Sequence, residues 1–157
     1  MLNIIKIVLI IILISACSST SKEKDLEKYM VGRWESEYAK AIMPTYNNTD
    51  SLSILEEDYS KSKTGVTQSI YKEDGTFSSC YKFKTGEKTG EVRGKWKIKK
   101  DTLFLDLSTI EHKKQVNIWY VITKTTQGFS GKAVTDADKD GYVDDTIFIK
   151  DKRMYLK

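Results

Sequence analysis

Length, composition and charge already limit what this chain can be. It has 157 residues, with 26 Lys and Arg against 22 Asp and Glu, and a net charge of +4 at pH 7. Charges of both signs are interspersed rather than gathered into a basic block, so we expect no nucleic-acid partner. Two cysteines are too few for a disulfide framework, and the length is that of one domain around one core.

The amino-terminal segment has the pattern of an export signal. Lys6 precedes an unbroken apolar run over residues 7–14, which is well short of the roughly 20 apolar residues that a spanning helix needs. The sequence Ile-Ser-Ala-Cys that ends at Cys17 then resembles the bacterial lipobox. This resemblance implies that residues 1–16 are a cleaved signal peptide and that Cys17 carries an N-terminal lipid such as palmitate. The alternatives are an ordinary signal peptide cut nearby, or an uncleaved short anchor.

Residues 17–25 are polar and are predicted to form a lipidated tether. Two or three acyl chains hold a protein stably on a bilayer, whereas a single chain holds it only marginally. We therefore expect a membrane-anchored protein of the bacterial cell envelope. Ser18, rather than an aspartate, follows Cys17, which resembles lipoproteins sent to the outer membrane of Gram-negative cells. The sequence leaves the periplasmic or the surface face open.

The remainder, residues 26–157, is predicted to be one β domain that begins with a short helix. Leu26, Tyr29 and Met30 have helical spacing, and Gly32 stands where a helix would stop. Beyond it, apolar and polar residues alternate in short runs, which predicts strands with one buried face. The predicted strands are 34–38, 66–71, 76–84, 91–99, 102–107, 115–124, 129–134, 145–149 and 154–156.

Short turns separate these strands. The sequences ending at Gly75, at Gly90 and at Gly141 contain the residues that tolerate positive φ between antiparallel neighbours. Eight or nine antiparallel strands in one domain leave exposed edges unless the sheet closes on itself. The predicted fold is therefore all-β, a single antiparallel up-and-down β-barrel with a short N-terminal helix. A β-sandwich is the alternative, and we expect a monomer.

Two residues at the start of the first strand point to a family. Gly32 and Trp34, which follow the helix, resemble the Gly-x-Trp opening of lipocalins and other calycin barrels. Residues 71–77 and 94–105 resemble the middle of the lipocalin-like domains found on bacterial lipoproteins. The resemblance implies a barrel-closing framework of Gly32, Trp34 and a basic residue near the last strand, here Arg153. It also implies a mouth that admits a small apolar or amphipathic molecule. Otherwise the tryptophans are core aromatics of another β domain.

The segment 39–65 is long for a hairpin connection. Asp50 is placed to cap a helical turn that carries Leu52, Leu55 and Tyr59 at near-helical spacing. Such a turn would make the segment a lid over one end of the barrel. A loose surface loop without a gating role is the alternative.

Residues 136–144 form an acidic loop with the pattern Asp-x-Asp-x-Asp-Gly-x-x-Asp. Carboxylates at positions one, three, five and nine, with the carbonyl at seven, can surround a hard cation, and the glycine permits the sharp turn. Position twelve is Ile147 rather than Glu and both flanks are predicted strands, so this is not an EF-hand. It resembles the calcium hairpins of integrin-type propellers. A solvated acidic turn is the alternative to a structural calcium site. The predicted ligands are Asp136, Asp138, Asp140, the backbone of Tyr142, and Asp144.

No catalytic constellation is apparent in the sequence. His112 is the single histidine, Cys80 lies in no nucleophile signature, and no glycine-rich phosphate loop is present. We therefore expect no enzyme and interpret Cys80 as a structural thiol. Two functions remain. The barrel binds a small apolar or amphipathic ligand, or the chain is an envelope protein-interaction module such as an immunity, inhibitor or assembly lipoprotein.

Overall fold

The computed structural model describes residues 21–109 and 115–155. Within these ranges one helix, α1 (residues 21–30), precedes nine strands. The last strand runs on to Arg153, and residues 154–155 do not form the separate strand expected there. The strands are β1 (Gly32–Met43), β2 (Ser53–Asp58), β3 (Gly65–Tyr71), β4 (Thr76–Phe83), β5 (Lys88–Lys99), β6 (Thr102–Thr109), β7 (Gln115–Lys124), β8 (Gly128–Thr135) and β9 (Asp145–Arg153).

All nine strands form one antiparallel sheet in the order β2-β1-β3-β4-β5-β6-β7-β8-β9. The sheet closes because β1 also pairs with β9, from Trp34 opposite Arg153 to Ile42 opposite Thr146. On its other edge, β1 pairs with β3 through residues 32–35 and with β2 beyond them. Eight strands thus make a closed barrel to which β2 adds at one rim. This confirms the predicted up-and-down barrel with a short N-terminal helix.

Helix α1 covers one end of the barrel, here called the helix end. Its apolar residues Leu26 and Met30 are buried in the barrel's main hydrophobic cluster. Near the start of the helix, the Glu23 carboxylate accepts a hydrogen bond of 2.9 Å from the Lys100 amide in the β5–β6 turn. The helix also begins earlier than its apolar spacing indicates, so it includes residues 21–25 of the predicted tether.

The β3–β4 connection at the helix end is the turn predicted from its Asp-Gly sequence. Gly75 adopts a φ of +74°, which glycine accepts without steric cost. The Asp74 Oδ1 atom accepts a hydrogen bond of 2.9 Å from the Thr76 amide. The Trp96 indole of β5 donates to the Lys72 carbonyl at 2.9 Å. Side-chain and main-chain bonds therefore connect this turn to the core.

Side chains alternate between the interior of the barrel and its outer surface. On β7, Tyr120 and Ile122 face inward and are buried, whereas Trp119 and Val121 face outward and are each 42% exposed. Phe104 of β6 lies opposite Trp119 in the sheet register and shares its outward face. The core is therefore built from one residue in two along each strand.

The segment 39–65 departs from its expected structure. β1 continues to Met43, and a short 3₁₀ turn follows at Tyr46–Asn48. Residues 53–58, where the helical turn was expected, form strand β2, and a second 3₁₀ turn at Tyr59–Lys61 comes after it. Leu52 and Leu55 are each 62% exposed, so they do not form the buried face of a lid helix. Pairing with the long edge of β1 satisfies the backbone of β2, whereas one isolated helical turn has a costly nucleus. The predicted helical turn was therefore wrong.

Candidate functional site

The floor of the barrel is a contact between its first strand, its last strand and α1. The Cζ atom of Arg153 lies 4.3 Å from the centre of the Trp34 ring and 5.1 Å from that of Tyr29. The guanidinium donates to the carbonyl of Val31 at 3.0 Å and to the carbonyl of Tyr29. The buried Trp34 indole donates to the Met30 carbonyl at 2.8 Å. These groups connect α1, β1 and β9, and they lie at the helix end of the barrel.

Gly32 lies between the helix and this cation–aromatic contact. Its φ is +139°, a conformation that side chains with a Cβ rarely adopt. A Cβ at this position would lie 2.7 Å from Nη1 of Arg153. Glycine is therefore required both by the backbone and by the close approach of the guanidinium.

The barrel is packed at the helix end and accessible at the opposite end, here called the mouth. On β7, Ile122 and Tyr120 are 5% and 9% exposed, Ile118 is half-buried, and Val116 near the mouth is 40% exposed. On β6 the first two inward leucines are buried and the third is half-buried. We call the accessible inner wall the cup; it includes Val92, Leu107, Val116, Ile118, Ile147 and Ile149.

A carboxylate lies below the cup. Asp151 of β9 is 6% exposed and has Ser36 of β1 and Phe129 of β8 as its neighbours in register. Burial raises the pKa of Asp151 to about 6, a hydrogen bond with Ser36 opposes the rise, and the charge of Glu37 adds to it. Its Oδ1 atom is shielded from solvent and has no hydrogen-bond partner among the described residues.

The acidic loop joins β8 to β9 at the mouth. Asp136 Oδ2 accepts a hydrogen bond of 3.1 Å from the Gly141 amide. Asp138 Oδ1 accepts from the Asp140 amide at 3.1 Å, and Asp140 Oδ1 accepts from the Tyr142 amide at 2.8 Å. The bond from the Tyr142 amide is the main cause that holds the pKa of Asp140 below its ordinary value. These bonds curl the loop so that its carboxylates converge.

The β1–β2 connection packs against this acidic loop. The Thr45 hydroxyl lies 3.0 Å from Asp140 Oδ2 and 3.1 Å from Asp144 Oδ2. The backbone amide of Asn47 donates to Asp138 Oδ2 at 2.8 Å. Two connections that are far apart in the sequence therefore form one structure at the mouth.

Three carboxylates of the loop come together. One oxygen each from Asp136, Asp138 and Asp145 lies within 4.8 Å of the other two. Asp145 is 1% exposed, and its Oδ2 atom accepts from the amide of Ala137 at 2.6 Å. The Oδ1 atoms of Asp136 and Asp144 are shielded from solvent and lack a hydrogen-bond partner among the described residues. Buried anionic oxygens without donors are groups that a hard divalent cation can satisfy.

Only some of the predicted calcium ligands lie in the three-carboxylate cluster. Asp136 and Asp138 lie in the three-carboxylate cluster, whereas Asp140 is directed toward Thr45 and the loop backbone. Asp145 takes part although the loop pattern assigns it no role, because the pattern ends one residue earlier. The signal available in the sequence was an aspartate at the first position of a predicted strand whose residues alternate inward and outward.

Comparisons with known proteins found no relative of this chain. The sequence matches no protein-family model, and comparison with curated proteins and with solved structures found no match either. In the part of the chain that the structure describes, no helix is long and apolar enough to cross a membrane. The predicted signal peptide, residues 1–16, and Cys17 lie outside the described residues. The barrel itself is consistent with a lipocalin-like fold.

Proposed function

We propose that this chain is a membrane-anchored bacterial lipoprotein whose lipocalin-like barrel binds a small apolar or amphipathic ligand and holds a structural calcium ion in its acidic loop. The observation that carries the ligand proposal is the cup. Small eight-stranded barrels either fill their interior with side chains or hold one small ligand. Here the inward Val116 is 40% exposed, and an accessible apolar wall is what such a ligand would cover.

A matched pair of variants on β7 tests ligand binding. N-phenyl-1-naphthylamine, a neutral apolar fluorophore, should bind to the wild-type chain with increased emission. Val116→Trp places a large ring at the mouth and should weaken uptake by at least about tenfold, because it fills the space that the probe needs. Val121→Trp is the control, since Val121 is equally exposed, at 42%, but faces outward.

The results with these two variants show whether the probe binds in the cup. Weaker uptake by the Val116 variant alone supports binding inside the barrel. Failure of the wild-type chain to take up the probe, or an equal effect of the two variants, would contradict it. Native mass spectrometry of protein purified without harsh detergent should also detect a co-purifying small molecule.

The calcium proposal is supported by the unsatisfied oxygens of the acidic loop. Oδ1 of Asp136 and Oδ1 of Asp144 are both inaccessible and without donors among the described residues. Asp136, Asp138 and Asp145 would provide carboxylate ligands, and Asp144 would contribute its free oxygen. Calcium suits such an all-oxygen donor set, and sites of extracellular modules bind it with Kd values of about 10⁻⁴–10⁻³ M. The ion would neutralise the loop and stabilise its contact with Thr45.

Thermal unfolding tests the calcium site. At about ten times Kd, calcium should raise the Tm by roughly 4 °C relative to the protein in chelator. Asp136→Asn should remove most of this shift, whereas Asp106→Asn, an outward carboxylate on β6, should retain it. No shift with calcium up to about 10 mM would contradict a site in this affinity range. An equal shift in both variants would indicate non-specific screening instead.

The lipid anchor is supported by the lipobox-like sequence and by the position of α1. The described part of α1 starts at Ser21, four residues after Cys17, and a four-residue chain spans at most about 14 Å. A lipid on Cys17 would therefore lie near the helix end, and the mouth would face away from the bilayer.

Metabolic labelling tests the anchor directly. Cells that express the full chain are grown with an alkyne analogue of palmitate, and the protein should acquire the label. Cys17→Ala should abolish labelling, whereas Cys80→Ala should not, because Cys80 lies in the barrel on β4. Retention of label by the Cys17 variant would contradict the anchor. Fractionation of a Gram-negative host should place the labelled protein in the outer membrane.

A protein-interaction module is the second candidate, and the outer face of the barrel favours it. Trp119 and Val121 are each 42% exposed and form an outward apolar groove with Phe148 and Val134. If the chain acts through an envelope protein at this groove, Val121→Trp should disrupt the complex and Val116→Trp should not. The same two variants therefore distinguish the two functions by opposite results.

A further inference from the structure

Asp151 is a carboxylate inside the barrel that forms no ion pair with any residue that the structure describes. It is 6% exposed, and its inaccessible Oδ1 atom has no hydrogen-bond partner among the described residues. Ionising a carboxylate in an apolar interior is costly unless a cation or several hydrogen-bond donors offset the lost hydration. The interior of the barrel therefore contains a negatively charged group that a bound cation could neutralise.

The neighbouring cations of β9 are each engaged elsewhere. Arg153, on the same inward face, donates to the Tyr29 and Val31 carbonyls and stacks on Trp34. Lys150 pairs with Glu37 at 2.8 Å, and Lys152 pairs with Glu35 at 3.0 Å, both on the outward face. These ion pairs direct the lysines away from the interior.

The other groups around Asp151 are aromatic hydroxyls and serines. Burial, with the charge of Asp151 as a further cause, raises the pKa of Tyr71 on β3 and of Tyr120 on β7, so both phenols stay protonated. Ser36 hydrogen-bonds to Asp151, and Ser69 donates to Ser79 at 3.0 Å in the neighbouring wall. The charge of Glu37 on β1 also raises the pKa of Asp151, but the Glu37 carboxylate itself pairs with Lys150 on the outward face. Among the groups named here, Asp151 is therefore the negative charge that faces the interior, and a bound cation would neutralise it.

The position of Asp151 relative to the cup gives the shape of a ligand. The next inward residues of β9 toward the mouth are Ile149 and Ile147, which are half-buried and apolar. A molecule that enters from the mouth meets an apolar wall first and the carboxylate below it. This order matches an amphiphile that inserts its polar head first.

We propose that the ligand of the barrel is an amphiphile with a protonated amine, whose ammonium group pairs with Asp151 and whose hydrocarbon part lies along the cup. The inference rests on the proposed ligand-binding function and specifies its chemical class. An ammonium group supplies a positive charge and three donors to the free carboxylate oxygen, and the tyrosine rings offer further attraction. A fatty acid of the same length is disfavoured, because its carboxylate would meet the negative charge of Asp151.

Displacement of N-phenyl-1-naphthylamine by three C12 compounds tests the proposal at pH 7.5. Dodecylamine should bind at least about tenfold more tightly than dodecanol, and dodecanoate should bind most weakly. Asp151→Asn should reduce the preference for amine over alcohol to within about threefold and leave dodecanol affinity unchanged. Asp106→Asn, which removes the same charge from the outer surface, should preserve the wild-type preference. Asp151→Glu keeps the charge and should preserve a preference for the amine.

The outcomes separate this inference from the function on which it rests. If wild-type protein binds all three compounds equally well, or if Asp151→Asn weakens all three equally, the amine proposal is overturned while ligand binding stands. If wild-type protein binds the fluorophore and none of the C12 compounds displaces it, the amine proposal is also overturned. Failure to bind any of the probes, fluorophore included, overturns the ligand-binding function itself. Loss of amine preference in Asp151→Asn with unchanged alcohol binding supports the assignment.

Discussion

Arg153 and Trp34 join the end of the barrel to its beginning. The Arg153 Cζ atom lies 4.3 Å from the centre of the Trp34 ring, and the two residues are also partners in the β1–β9 register. The guanidinium also donates to the carbonyl of Tyr29 in the last turn of α1 and to that of Val31 just after it. One side chain therefore connects the helix and the two strands whose pairing closes the barrel.

Arg153→Ala should lower the free energy of unfolding by roughly 2–4 kcal/mol, because it removes a cation–π contact and two charge-assisted hydrogen bonds. Urea denaturation followed by far-UV circular dichroism measures the change. Lys99→Ala removes the same charge from an exposed position and should change stability by less than about 0.5 kcal/mol. Equal effects of the two variants would mean that the contact with Trp34 is energetically unimportant.

Gly32→Ala should be more destabilising than Gly86→Ala by roughly 2 kcal/mol. Both glycines have positive φ, of +139° and +96°, but only the Cβ at position 32 would meet a side-chain atom, at 2.7 Å. The difference between the two variants therefore contains the clash with Arg153 together with the difference in backbone strain. In an Arg153→Ala background the difference should shrink, and its persistence would contradict this explanation.

Asp151→Asn should increase stability at pH 7.5 by about 3 kcal/mol, and the gain should disappear below about pH 4. The folded protein raises the pKa of Asp151 from 3.8 to about 6. The native state therefore binds the proton more tightly than the unfolded chain. The contribution of the neutral carboxyl to stability is complete below the unfolded pKa and is lost as the pH rises through 6, whereas asparagine cannot ionise.

Denaturant unfolding of the Asp151 variant and wild type between pH 4 and 8 measures this dependence. The exposed Asp50 provides the control, since Asp50→Asn should give a small difference that does not vary in this way. A stability difference between Asp151→Asn and wild type that is constant across the range would show that the carboxylate is hydrated in the folded protein.

Tyr120→Ala should destabilise the barrel by roughly 3–5 kcal/mol, whereas Trp119→Ala should cost less than about 1 kcal/mol. The two residues are adjacent, but Tyr120 is 9% exposed inside the barrel and Trp119 is 42% exposed outside it. Thermal unfolding compares them. The reverse order of effects would require the strand register of β7 to be shifted by one residue.

Much of the barrel was predictable because strand alternation and turn chemistry are local. The β6 and β7 patterns, and the Asp-Gly sequence before β4, each specify an element from a few adjacent residues. Strand β2 was not predictable in this way. Its residues at 53–58 are mostly exposed, and they form a strand because the edge of β1 extends past β3 and offers a pairing partner.

The candidate sites were likewise predictable from the sequence only where their residues are neighbours along the chain. The spacing of Asp136, Asp138 and Asp140 predicts a cation-binding loop from the sequence, since all of the proposed ligands come from one short segment. The contacts of Thr45 with that loop could not be read from the sequence. They require two connections more than 90 residues apart to meet at the mouth.

The sequence by itself determined the order of the eight barrel strands, most turn positions, the acidic loop and the lipobox-like motif, because each depends on neighbours along the chain. Tertiary structure alone decided which end of the barrel is packed and which carboxylates are buried. Alternation shows that Asp145 and Asp151 share a face of β9, but closure of the sheet makes that face the interior. Because the barrel closes, the Asp151 carboxylate is buried and forms no ion pair with any residue of the described ranges, whereas on an open sheet it would be hydrated.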